Sequence, residues 1–124
     1  MEKTLEDVFG PVISSYSRAQ AIEDGVLVDV SGPARELGFK FPVAVTCGVW
    51  ASCVEVPKSN HIESEDGRLH DVLWMLKVAI RISSGGDRVE FRVRVGKRVV
   101  NLYSVCGPGD DMAPVITIML EGED

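Results

Sequence analysis

Residues 68–105, RLHDVLWMLKVAIRISSGGDRVEFRVRVGKRVVNLYSV, contain the change of hydrophobic period that decides the fold. Up to residue 82 the apolar side chains return at helical spacing, with Leu69, Val72, Leu73, Leu76 and Ile80 on one face. That stripe is what a helix needs in order to bury itself against a second layer. Ser83-Ser84-Gly85-Gly86 ends the run. From Arg88 to Val95 the period becomes two, and Val89, Phe91, Val93 and Val95 alternate with polar residues, as a half-buried strand requires. Gly96-Lys97 fits a two-residue hairpin loop with glycine first. Arg98 to Val105 then returns, which sets Val95 against Arg98 and Phe91 against Leu102.

Reading outward from this helix and hairpin extends the sheet. Cys106 to Met112 reads as a loop and Pro114 to Leu120 as a third strand. Upstream, Ser17-Arg18-Ala19-Gln20 has the form of a capping box, opening a short helix that stops before Gly25. Val26 to Val30 is a short, mostly buried strand. Ser31-Gly32-Pro33 opens a brief helix that Gly38 closes. Phe39, Phe41, Val43 and Val45 alternate like a strand, which Pro42 confines to a sheet edge or a strand start. Thr46 is placed to cap a helix from Cys47 to Glu55, and residues 57–66 form an acidic loop. Residues 1–16 read as a loosely structured arm anchored by Phe9, Val12, Ile13 and Tyr16. The expectation is one α+β domain over residues 1–124. Its three- to four-stranded antiparallel sheet, ending in a meander, packs on one long helix plus two or three short helices.

Composition agrees with a folded domain. At 124 residues and 45% hydrophobic content the chain is long enough to bury a core without cross-links. The net charge of -6 argues against general nucleic-acid binding, because phosphate affinity comes from basic residues that release counterions. The odd cysteine count, Cys47, Cys53 and Cys106 with no close pair, argues against a disulfide framework or zinc ribbon. Buried free thiols in a reducing cytoplasm fit best. No apolar run approaches the length of a membrane span, so no membrane association is expected. Nothing in the sequence calls for a cofactor.

Chemistry has four candidate locations. On the long helix Trp74 falls in a narrow polar arc with His70, Lys77 and Arg81. A tryptophan among basic side chains is an anchor for a protein partner, and for a second copy if the chain forms a homodimer. The plainer alternative is that a neighbouring segment covers it. On the hairpin Arg88, Arg92 and Arg94 share a face with Tyr103, an arrangement for phosphate contacts and base stacking. Against that stands an ordinary solvated sheet face whose charges discourage edge pairing. Asp110 and Asp111, on a loop of glycine and proline, are oxygen donors for a hard cation, although turn chemistry accounts for the same residues. Lastly, His61 or His70 with Cys47 or Cys106, and Asp71 as orienting group, would make a nucleophile–base pair. No phosphate-binding loop, nucleophile elbow, zinc-protease helix or dinucleotide fingerprint supports an enzyme.

Three blocks carry a family likeness: FGPVISSYSRAQAIEDGVLVDVS (residues 9–31), DVLWML (71–76) and GPGDDMAPVITIMLEGED (107–124). They resemble a small bacterial family known only as a domain of unknown function, found in chromosomes and in plasmid- or phage-borne accessory regions. The resemblance implies a cytoplasmic accessory protein of a mobile element and brings no catalytic residue with it. The expected function is therefore non-enzymatic: macromolecular interaction through Trp74, His70, Lys77 and Arg81. The alternatives are a nucleic-acid or nucleotide module on the basic hairpin 88–98 and, behind it, a metal-assisted or Cys–His enzyme.

Overall fold

A computed structural model describes residues 16–58 and 63–123. The elements in chain order are α1 (Arg18–Glu23), β1 (Leu27–Asp29), α2 (Ser31–Glu36) and β2 (Val43–Thr46). Next come α3 (Cys47–Val49), running on into a π-helical turn (Trp50–Val54), and the long α4 (Glu65–Ile82). The chain ends in β3 (Arg88–Val95), β4 (Arg98–Pro108) and β5 (Pro114–Leu120). The arm expected over residues 1–16 lies, apart from Tyr16, outside the described residues.

The hairpin register is the expected one, with Val95 opposite Arg98 and Phe91 opposite Leu102. Gly96 takes a positive φ of 60°, which lets the two-residue loop follow the twist of its strands. The sheet itself is larger than the expected three or four strands. It has five, in the order β1-β2-β5-β4-β3, and β2 pairs with β5 in parallel. Thus β5 is a central strand, and the meander is continued by β2 and β1. Pro42 marks a strand start: β2 begins one residue later, and the Pro42 carbonyl accepts from the Ile116 N–H at 2.9 Å.

One face of the sheet, carrying Val43, Val45, Ile116, Ile118, Leu102, Phe91, Val93 and Val95, packs with α4 into a single core. Leu69, Val72, Leu73 and Leu76 are the helix residues buried there. Ile80 departs from expectation. It lies in the last turns of α4 and is 40% exposed.

The opposite face is only partly covered. The Arg18 guanidinium of α1 donates to Thr117 Oγ1 at 2.7 Å and to the Ile116 carbonyl at 2.9 Å. At the other side of that face, the Tyr103 hydroxyl donates to the Glu123 carbonyl in the C-terminal turn. The same turn clasps α3: Thr46 Oγ1 caps the Val49 N–H and donates to Glu123 Oε1. The face of β3 and β4 beyond Tyr103, with Arg92, Arg94, Val99 and Asn101, is exposed.

Candidate functional site

α4 begins where its sequence says a helix should. Ser64 accepts from the Gly67 N–H, and Glu65 and Asp66 fill the first turn, where carboxylates suit the positive end of the helix dipole. Burying Leu69, Val72, Leu73 and Leu76 then fixes which residues turn outward. Trp74 is one of them, 43% exposed, and no described segment covers it. Its indole is nonetheless held. The His70 ring stacks against it, with centroids 6.3 Å apart and planes inclined by 6°. The Lys77 ammonium sits 5.8 Å from the ring centroid, within cation–π range, and also donates to the Leu37 carbonyl. The aromatic surface is therefore exposed and already ordered. That combination lowers the entropy lost when a partner binds.

Lys77 is also one wall of an adjoining groove of about 320 Å³. Phe39, Phe41, Ile80 and Ile116 give it an apolar lining, and Lys40, Lys77 and Arg81 stand among them with no acidic residue. Sequence reasoning placed Trp74, His70, Lys77 and Arg81 together, and the fold does bring them onto one surface. It missed Phe41 and Ile80. The helical period puts Ile80 on the buried face and alternation puts Phe41 in a strand, yet Phe41 precedes Pro42 outside the strand and is exposed. A strand that starts after its proline leaves the preceding aromatic without a sheet to pack on.

The hairpin arginines meet a different environment. Arg88 lies over the Tyr103 ring, its guanidinium carbon 3.7 Å from the centroid, and its Nε is 3.5 Å from Glu90 Oε2. Tyr103 is only 3% exposed. Its ring is thus occupied by Arg88, and its hydroxyl by Glu123, so a base has no free stacking platform there. Arg92 and Arg94 remain exposed. Other basic residues serve the fold: Arg68 and Arg98 donate to the carbonyls of Glu55 and Ser52 at the end of the π-turn.

The acidic loop is tied to α1. Asp110 accepts from the N–H groups of Arg18 at 2.8 Å and Ala19 at 3.0 Å. These bonds, foremost the one from Arg18, hold its carboxyl below the usual carboxylate range. Asp111 accepts from the Ala113 N–H at 3.1 Å within the turn. No group of three or more histidine, cysteine, aspartate or glutamate side chains suited to a metal ion occurs among the described residues.

All three cysteines are free, but burial holds only for some of them: Cys47 is exposed, Cys106 half-buried and Cys53 buried. Burial pushes the Cys53 thiol up, with Arg98 and Arg68 opposing it, which keeps it protonated and a poor nucleophile. His70 stacks against Trp74, and its Nδ1 lies 4.0 Å from Asp71 Oδ1. His61 lies outside the described residues.

A family model described as a family of unknown function (DUF6573) matches residues 8–124. No curated protein and no solved structure matches the chain. No helix among the described residues is long and apolar enough to cross a membrane.

Proposed function

We propose that this chain, which belongs to that family of unknown function, is a non-enzymatic accessory protein that binds a protein partner through the α4 face centred on Trp74. The observation carrying this reading is an exposed indole that contacts the His70 ring and the Lys77 ammonium. Tryptophan and arginine dominate interface hot spots because they combine large contact area with polar or charged edges. Action in the cytoplasm, and service to a mobile element, belong to the same reading. They rest on the three free thiols, which suit a reducing compartment, and on the resemblance stated above.

The test is affinity capture from lysate of the cells that make the protein, with wild-type and Trp74→Ala baits side by side. A protein enriched on wild type and lost on the variant is the expected result. The variant should keep the wild-type circular dichroism spectrum, because Trp74 lies outside the buried stripe of α4. Equal capture by both folded baits would remove Trp74 from the interface. The competing nucleic-acid reading would instead yield nuclease-sensitive material whose retention falls steeply with salt.

A further inference from the structure

We infer that the groove beside Trp74 takes an acidic segment of a partner protein, with one bulky apolar side chain seated between Phe41 and Ile80. This deepens the proposed function and rests on it, since the groove shares Lys77 with the Trp74 surface. The volume of about 320 Å³ sits at the lower end of the range for enclosed ligand sites. The groove is also open to solvent. Such a site suits a single protruding side chain better than a whole small molecule.

The charge around it selects the flanks of that side chain. Lys40, Lys77 and Arg81 line the groove and no carboxylate does, in a chain whose net charge is -6. A local cluster of one sign against a background of the other is what gives electrostatic complementarity its specificity. Lys77 is partly engaged by Leu37 and Trp74. The side chains of Lys40 and Arg81 make no hydrogen bond or ion pair among the described residues, so both are available to carboxylates. At physiological ionic strength the screening length is about 8 Å, which confines the repulsion from the rest of the acidic surface. A nucleic acid would supply its negative charge as phosphates spaced along a backbone rather than as carboxylates clustered around one apolar side chain. It would also need a longer row of cations to follow its backbone.

The experiment uses fluorescein-labelled peptide pools in which a central Phe, Leu or Trp is flanked by Asp and Glu, and matched pools flanked by Lys and Arg. Binding to the full chain is read by fluorescence anisotropy, with a single-stranded oligonucleotide as competitor. The acidic pool should bind and the basic pool should not. The double substitution Lys40→Gln/Arg81→Gln should weaken acidic-pool binding about five- to tenfold. Ile80→Gln, at a partly exposed position, should weaken it comparably without unfolding the protein. The inference fails if the two pools bind alike, if neither binds, or if the acidic pool ignores both variants. It also fails if the oligonucleotide competes as well as the unlabelled acidic peptide. Any of these results, together with loss of lysate capture on Trp74→Ala, would leave the Trp74 interface standing and remove only the acidic occupant.

Discussion

Asp110 and Arg18 show how far a single residue's role extends beyond its neighbours in sequence. Arg18 sits at the start of α1, and burial lowers its pKa against the opposing pull of Asp29 and Asp110. Asp110 accepts from two α1 N–H groups some ninety residues earlier in the chain. Its depressed pKa fixes the sign of a pH effect. A carboxylate with a lower pKa when folded contributes stability that is present above its unfolded pKa, about 3.9, and is lost as pH falls through the folded value. Asp110→Ala should therefore lower the melting temperature at neutral pH. The gap from wild type should close as both are titrated below about pH 4, read by thermal melting across a pH series. A gap independent of pH would mean that the capping bonds do not depend on the ionised carboxylate. The capping box at Ser17 and Gln20 was legible because both of its bonds are local. The second use of that helix end, by Asp110, was not. Aspartate on a glycine-rich loop satisfies turn chemistry whether or not a distant helix lies within reach.

At the scale of the element, α4 separates its two faces cleanly, and the separation is measurable. Leu73 is fully buried between the helix and the sheet, so Leu73→Ala should cost about 2–5 kcal/mol by chemical denaturation. Trp74→Ala should cost about 1 kcal/mol or less, the scale of an exposed cation–π contact. Similar costs for the two would mean that Trp74 is part of the core and that its exposure is not functional. The helical period located this boundary from sequence except at Ile80, which has the right spacing but lies near the end of α4 and is partly exposed. β5 tells the opposite story. Its residues Val115, Ile116, Thr117, Ile118, Met119 and Leu120 are nearly all apolar, the mark of a strand with neighbours on both edges and cover on both faces. Local pattern identified it as a strand. Its parallel partner β2 lies some seventy residues earlier, and no local pattern names a partner at that separation.

For the whole molecule, the sheet divides the surface into two candidate working faces. One is the α4 side, with ordered Trp74 and the cationic apolar groove. The other is the outer side of β3 and β4, where Arg92 and Arg94 are exposed but Tyr103 is already filled by Arg88 and Glu123. Trp74, His70, Lys77 and Arg81 on one face and the hairpin arginines on the other were visible in sequence, because helix and strand periods assign side chains to faces; the groove residues Phe41 and Ile80 were not. What they could not show was which aromatic would be free. That depends on the C-terminal turn folding over Tyr103 and on the absence of any such cover, among the described residues, over Trp74. The most direct measurement places a photoreactive benzoylphenylalanine at Arg81 in one variant and at Arg92 in another. Each is irradiated in the cells that make the protein, and adducts are identified by mass spectrometry. The expected result is a discrete protein adduct from position 81 and none from position 92. Protein or nucleic-acid adducts from position 92, with none from position 81, would contradict the account and move the working surface to the other side of the sheet.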